Sequence, residues 1–416
     1  MDEALKYYMT PDTMEPLFPE PASGELEELA IELISKAGKL SGVINPETRK
    51  AIGEFLRPMN SYYSNLIEGH DTHPIDIARA LNEEYSDDKA KRDLQLEAYA
   101  HIKLHKNISE EIKAGNSEII PTSMDFLKSL HKRFYDHLPE SFKEAISKQG
   151  EPKIVIPGEF RTCEVQVGRH IAPYSKNIDL FTNRFEEFYN PKSLSNKSKT
   201  RRIISIAASH HRLAWIHPFL DGNGRVTRLF SDACFMHEDL DADGLWSISR
   251  GLARRNDEYK SNLAQADSVR YNDYDGRGNL SNKKLIEFCK FFLEVAVDQT
   301  DYMFKMIDTN NILSHIESFT DLMVNKGELR PEAKFILCDL FLKGKISKSD
   351  AMRITNTSDK TVKITTDKLT EMGFISPEKR KGTTMMYHVS YPVKYSPMIF
   401  PGLYPGPKEV EMYKNA

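Results

Sequence analysis

An imidazole, a carboxylate, two glycines and two guanidiniums fall within twelve consecutive residues, His217-Pro218-Phe219-Leu220-Asp221-Gly222-Asn223-Gly224-Arg225-Val226-Thr227-Arg228. Pro218 disfavours helical geometry in the residue before it. The apolar helix running through Ile203, Ile204, Ile206, Ala207, Ala208, Leu213 and Ala214 is therefore expected to end at His217. Gly222 and Gly224 let the backbone take positive φ and let a ligand come close. A new helix is expected from about Asn223 or Gly224, and free N–H groups at a helix start, with its positive dipole end, form an anion site. Arg225 and Arg228, three apart, share a face and could grip further phosphates. Asp221 supplies a hard oxygen suited to Mg²⁺, which binds through one or two carboxylates plus substrate phosphates. The loop thus offers a base, a metal ligand, an anion cradle and two cations. The bland alternative is a structural helix–loop–helix with a basic end, which does not account for so many functional groups in one run. A metal site from His210, His211, His217 and Asp221 lacks the His-x-x-x-His register of zinc hydrolases. His210 and His211 are read as packing residues. Upstream, Ser64 and Glu68 lie four apart on one helical face, with Gly69 placed as a C-cap; alone, Glu68 would be an ordinary surface carboxylate.

The twelve-residue string resembles the signature of the Fic family, H-P-F-x-D/E-G-N-G-R-x-x-R, at all nine fixed positions. The resemblance extends over roughly Ser23–Asp301. It implies a mainly α protein, an all-helical core with a small β-hairpin flap, that transfers AMP from ATP to a Ser, Thr or Tyr hydroxyl of a protein, itself included. The related Doc-type kinase motif has Lys where this chain has Gly224, which disfavours phosphate transfer. His217 would take the proton of the incoming hydroxyl, and Asp221 would hold Mg²⁺ on the α- and β-phosphates. Asn223 and the amides of Gly222 and Gly224 would stabilise phosphate charge, Arg225 and Arg228 would hold the β/γ end, and Phe219 would anchor the loop by packing. Gly158-Glu159-Phe160-Arg161 and Val167-Gly168-Arg169-His170-Ile171-Ala172-Pro173 are similar to the family's flap, whose exposed edge can pair with an extended target segment. Val167, Gly168, Arg169 and His170 are accordingly assigned to the ATP site; Ala172 departs from the Pro that relatives often carry. Tyr259 stands where relatives wall the adenine and is either a stacking partner or a core tyrosine. Ser64-Asn65-Leu66-Ile67-Glu68-Gly69 is similar to the inhibitory motif of class II members: Glu68 paired with Arg228 would occupy the γ-phosphate seat. Rival readings are a nucleotide-sensing DNA-binding regulator and removal of AMP by the same site, with Glu68 positioning water.

The elements that must position these residues read mostly as helices. An apolar-periodic segment begins at Ser23 (Leu26, Leu29, Ala30, Leu33, Ala37), and Pro58 suits the first turn of a short helix, 58–69, that carries Glu68. Helical patterns cover Pro74–Gly115 and Ser123–Leu138 and run from about Asp179 to Asn310. Two short β-branched stretches, Lys153–Gly158 and Cys163–Gly168, are read as the two arms of one hairpin. From Arg330 the order changes: helices over Pro331–Phe341, Ser347–Ile354 and Asp359–Met372, a strand from Ile375, a charged turn Glu378–Gly382 and a strand Met385–Val389. That is the layout of a winged helix-turn-helix. In the third helix Val362 and Leu369 face inward and Lys360, Lys363 and Lys368 outward, and Lys379-Arg380-Lys381-Gly382 forms the wing. The segment from Arg330 to Tyr391 carries a local charge of +5, and DNA is a candidate partner for it, beside protein docking. The expected division is 1–110, an N-terminal helical region; 111–310, the catalytic core; 328–395, the winged helix; and 396–416, a tail without regular structure.

With 416 residues, 40% hydrophobic and 28% charged, the chain has the composition of a globular protein of two or three domains. A net charge of -4 gives no overall push toward nucleic acid or membrane. No apolar run approaches the roughly 20 residues needed to span a bilayer. Met1-Asp2-Glu3-Ala4-Leu5-Lys6 lacks a secretory layout, and Cys163, Cys234, Cys289 and Cys338 lie too far apart for a zinc or disulfide framework. The expectation is a soluble cytoplasmic protein whose partners are ATP, an acceptor protein and, in a homodimer, itself.

Overall fold

The computed structural model describes residues 7–21, 24–115, 119–146, 152–194, 197–379 and 384–403. These residues form two compact units, each discontinuous in sequence. The first draws on the described residues of 1–35, 60–241 and 247–299, and the second on those of 36–59, 242–246 and 300–403. The observed division therefore cuts across the linear boundaries expected at 110, 310 and 328.

At the centre of the first unit, helices Lys199–Ile216 and Asn223–His237 pack side by side, joined by the His217–Gly222 loop. Ile203, Ile204, Ala207, Leu213, Ile216, Val226, Leu229, Phe230 and Ala233 are buried, as expected of helices enclosed on every side. Helices Lys89–Lys113 and Met124–Tyr135 cover Asn223–His237, and Ile178–Tyr189 covers Lys199–Ile216. Side-chain caps fix where these helices start: Asp88 accepts from Lys91 N–H, Ser123 from Phe126 N–H and Ser198 from Arg201 N–H.

Three expectations need correcting here. The segment Pro74–Gly115 is two helices, Pro74–Leu81 and Lys89–Lys113, because Asp88 starts the second and Glu83 takes a φ of 62° between them. Pro58 does not open a short helix but lies inside Pro46–Ile67, so Ser64 sits near the end of a 22-residue helix. The expected hairpin is not one hairpin: Pro152–Ile154 pairs backwards with Glu144–Ile146, while Gln166–Val167 pairs forwards with His170–Ile171 around Gly168 (φ +57°). Each stretch thus pairs with a segment on its outer side, and the two do not pair with each other.

In the second unit, helices Glu332–Lys343, Lys348–Thr355 and Asp359–Glu371 accompany a three-stranded antiparallel sheet ordered Lys345–Ser347, Met386–Val389, Ile375–Glu378. The first of these strands was not expected. Val362 and Leu369 are buried and Lys360 and Lys363 exposed, whereas Lys368 is half-buried against Glu371 at 2.8 Å. Helix Thr309–Asn325 packs on Glu332–Lys343, so the unit does not begin at Arg330. Wing residues Arg380, Lys381 and Gly382, the helix start at Ser23 and the tail beyond residue 403 lie outside the described residues. No helix among the described residues is long and apolar enough to cross a membrane.

Candidate active site

The loop is built by conformations that its sequence makes available. Helix Lys199–Ile216 ends with His217 in the left-handed region (φ 49°, ψ 59°), its N–H bonded to Leu213 O at 3.1 Å. Arg161, 4% exposed, holds that turn: its Nε donates to His217 O at 2.8 Å and its backbone N–H to Pro218 O at 2.9 Å. Its other nitrogens donate to Cys163 O and Pro173 O at 3.0 and 2.7 Å. Gly222 precedes the next helix at φ 78°, and a Cβ there would lie 2.9 Å from Tyr135 Cε2. Phe219 is fully buried and stacks on His131 with centroids 4.1 Å apart and planes 6° apart, the packing anchor expected of it. Asn223, 3% exposed, clamps the loop, accepting from Phe219 N–H at 2.9 Å and donating to Phe219 O at 2.8 Å. Its oxygen and one of its two amide hydrogens are thus committed to the loop backbone.

His217 is half-buried, and its imidazole is pushed down to about 3, first by burial and then by the positive Arg161 and by His170. It is therefore neutral at working pH and able to accept a proton. Asp221 has a 48% exposed side chain. Its Oδ2 accepts from Tyr135 OH at 2.7 Å and approaches Arg225 Nη2 at 3.5 Å. Among the described residues Oδ1 has no partner, so one hard oxygen is available to a cation. His131 takes an N–H from Gly158 on Nδ1 (2.8 Å), so Nε2 carries the proton and donates to Asp221 O at 3.2 Å. Burial pushes that imidazole down to about 4, which keeps it neutral.

The two arginines have different fates. Arg225 is 6% exposed and ion-paired to Glu97, a fully buried carboxylate whose other oxygen meets His70 Nδ1 at 2.6 Å. Burial pushes Arg225 down to about 10, still charged, and its guanidinium lies over the Phe134 ring at 5.2 Å. Arg225 is thus held in the core instead of facing a phosphate, because Glu97 offers the compensating charge that burial demands. Arg228, 1% exposed, meets the segment read as inhibitory: Nε donates to Ser64 Oγ and Nη2 to Ser64 O, both at 3.0 Å, and Nη2 to Glu68 Oε1 at 2.7 Å. Helix Pro46–Ile67 ends in a Schellman motif, with His70 N–H on Asn65 O, Gly69 N–H on Leu66 O and Gly69 at φ 84°. Burial pushes the Glu68 carboxyl up, but Arg228 and Arg225 outweigh it and hold it below the ordinary carboxylate range. Its Oε1 lies where a Cβ on Gly224 would come within 2.2 Å. A carboxylate thus sits against the start of helix Asn223–His237, where the dipole favours negative charge.

A cavity of about 880 Å³ opens over these groups, lined by Glu68, His217, Asn223, Gly224, Arg228 and Tyr259, with Val167, Gly168, Arg169 and His170 along one wall. That volume falls in the range of small-molecule sites. Of the residues read from the sequence, Ser64, Gly69, Asp221, Gly222 and Arg225 are not part of the lining. Val167 is half exposed (50%), and His170 Nε2 bonds Trp215 O at 2.7 Å. Tyr259 is 4% exposed with its hydroxyl 2.8 Å from His210 Nε2, so it walls the cavity as a fixed side chain. His211 Nε2 bonds Leu263 O at 3.1 Å, and no group of three metal-binding side chains occurs among the described residues. Glu97, Tyr135 and His131 are the positioning residues that sequence reading missed; they lie 128, 86 and 90 residues from their partners, with no spacing to mark them.

Part of the chain is similar to known proteins. The model of the Fic/DOC family matches residues 121–235. A protein adenylyltransferase Fic of Drosophila melanogaster is 42% identical over 80 residues, 19% of this chain and 15% of the relative. Another, of Nematostella vectensis, is 29% identical over 180 residues, 42% of this chain and 36% of the relative. The chain thus spans little more than a third of the length of these relatives at most. Among solved structures, a Fic family protein from Desulfovibrio desulfuricans G20 superposes with a TM-score of 0.51 at 14% identity, covering 89% of this chain and 98% of that one. A Fic domain containing signaling protein from Bacteroides thetaiotaomicron VPI-5482 gives 0.50 at 18% identity, covering 67% and 96%. These likenesses concern the fold. Residues 121–235 of this chain are thus similar to the Fic/DOC family in sequence, and the solved Fic structures share its fold.

Proposed function

We propose that the chain transfers AMP from ATP to a protein hydroxyl and is restrained by Glu68. The acceptor oxygen attacks the α-phosphorus, an O–P bond forms, the α–β bridging P–O bond breaks and pyrophosphate leaves. The acceptor proton passes to the neutral imidazole of His217. Free N–H groups at the start of helix Asn223–His237 cradle phosphate oxygens, and Arg228 holds the terminal phosphates so that pyrophosphate departs in line. Asp221 fits Mg²⁺, since one exposed carboxylate with a free oxygen suits an ion that takes its other ligands from phosphates and water. When bound, Mg²⁺ supplies charge neutralisation on the phosphates. Tyr135 meanwhile holds Asp221 in place, and the strand edge at Val167–Ile171 offers main-chain groups to an extended acceptor segment.

The observation that carries the reading is the 2.7 Å pair of Glu68 and Arg228 beside Gly224. It supports the reading because a carboxylate lies where the motif's cation and helix start meet. The same carboxylate must leave before Arg228 can hold a terminal phosphate. Intact-mass measurement of the Glu68→Gly chain, with ATP, Mg²⁺ and a mixture of candidate acceptor proteins, tests it. A gain of one AMP unit on an acceptor or on the chain, absent with His217→Ala added, is expected. Gain of a phosphate instead, or a gain that persists without His217, overturns it.

A further inference from the structure

Glu68 and His70 stand two residues apart, just past helix Pro46–Ile67, and each is tied to one of the motif arginines. Glu68 is tied directly, to Arg228 Nη2 at 2.7 Å. His70 is tied through Glu97: its Nδ1 lies 2.6 Å from Glu97 Oε2, and Glu97 Oε1 pairs with Arg225. Arg225 and Arg228 are one turn apart on helix Asn223–His237. The contacts therefore close a circuit, from residues 68–70 to that helix and back through Glu97 on helix Lys89–Lys113. A carboxylate only accepts, so His70 Nδ1 carries a proton and donates it. Burial, and then Arg225, push the His70 imidazole below its ordinary range, so the ring is neutral and its other nitrogen is bare. Glu97 is fully buried with one oxygen on a charge and the other on an N–H, which is the compensation that a core carboxylate needs.

The backbone couples the two side chains. Glu68 N–H and His70 N–H both donate to Asn65 O at 3.0 Å, and Gly69 N–H donates to Leu66 O at 3.0 Å. A turn closed in this way passes a shift at residue 70 on to residue 68. We infer that His70 and Glu97 are positioning residues for the restraint: they latch the turn to Arg225, so that the Glu68 carboxylate stays on Arg228. This rests on the proposed restraint by Glu68. It also gives Arg225, which does not line the cavity, an anchoring task in the core.

The test measures AMP incorporation from α-labelled ATP by the full chain carrying His70→Phe, His70→Asn, Glu68→Gly, or Glu68→Gly with His70→Phe. Phenylalanine keeps a planar ring and removes the N–H, whereas asparagine places an amide N–H close to where Nδ1 stands. Losing one hydrogen bond to a charged group, made by a side chain that is 35% exposed, predicts a rise of about three- to tenfold in His70→Phe. His70→Asn should restore the restraint. Because the latch acts only through Glu68, adding His70→Phe to Glu68→Gly should change the rate by less than about twofold. A rise in Glu68→Gly with none in His70→Phe overturns the latch and leaves the restraint by Glu68 standing. No rise in Glu68→Gly overturns the underlying reading instead. An equal gain from His70→Phe in both backgrounds, or a rate in His70→Asn as high as in His70→Phe, would make residue 70 a packing position and also overturn the inference. Nitrogen-15 NMR of the unsubstituted chain gives a readout independent of any variant's folding. His70 should be the neutral, Nδ1-protonated form, and a bare Nδ1 would refute the latch.

Discussion

Replacing Glu68 by Gln and by Gly should release the site in two unequal steps. The proposed brake is one charge-assisted contact, Glu68 Oε1 to Arg228 Nη2 at 2.7 Å, made by a side chain that is 32% exposed. A hydrogen bond to a charged group contributes about 1.5–3 kcal/mol when well shielded. Partial exposure moves the value to the lower end, about 1.5 kcal/mol, because water competes for the carboxylate. Glu68→Gly should therefore raise the population of chains with Arg228 open to ATP about tenfold. Glutamine keeps the shape and a neutral acceptor worth about 0.5–1 kcal/mol, so Glu68→Gln should release only about two- to fivefold. Ser64 keeps its two contacts with Arg228 in both variants, which prevents collapse of the guanidinium into the emptied space. The assay is the initial rate of AMP incorporation from α-labelled ATP, with ATP below its KM, so that the rate reports the competent fraction. The sign of the pH dependence follows from the lowered carboxyl. A group depressed in the folded chain acts above its unfolded range and is lost as pH falls through the folded value. Between about pH 6 and 8 the ratio of Glu68→Gly to unsubstituted rates should accordingly be flat. If glutamine released nothing while glycine released fully, the brake would be side-chain bulk and not charge. No change in either variant would remove Glu68 from regulation altogether.

Gly222→Ala should destabilise the first unit by about 1–2 kcal/mol from the left-handed backbone alone, with more from the Cβ contact at 2.9 Å on Tyr135. A thermal midpoint equal to the unsubstituted chain's would show that the loop relaxes freely. NMR titration of His217 in the ligand-free chain should show a neutral ring across about pH 5–8, since burial and Arg161 push it down to about 3. An inflection near about 6.5 would mean that the imidazole is solvated like a model compound.

What could be read from the sequence was local. The loop between the two central helices, the C-cap at Gly69 and the shared face of Ser64 and Glu68 each depend on residues a few positions apart, where backbone preferences decide. The pairing of Glu68 with Arg228 spans 160 residues and was legible only through a resemblance, since spacing holds no trace of it. Glu97 shows the limit most clearly. It looks like any acidic residue of helix Lys89–Lys113, yet it is fully buried because the fold brings Arg225 and His70 to it. Arg225 shows the same limit: a guanidinium on the face shared with Arg228 looks free until its counter-ion is known. The strands failed differently. Short β-branched runs can pair with several neighbours, and the two arms expected to join each found a different partner instead. Pro58 was read as a start because proline favours first turns, but a long helix that buries its flanks can carry the lost hydrogen bond.

The buried guanidinium of Arg161 ties the turn at His217 and Pro218 to the carbonyls of Cys163 and Pro173, which bracket the small strand pair. The proposed base, His217, and the strand edge are therefore indexed to one another. An extended peptide laid along that edge alternates its side chains from one residue to the next. Sliding it by a single position would swing the reactive hydroxyl away from the imidazole. Such an enzyme would choose its acceptor by where a hydroxyl falls in the register of a strand, and would be comparatively indifferent to whether serine, threonine or tyrosine supplies it.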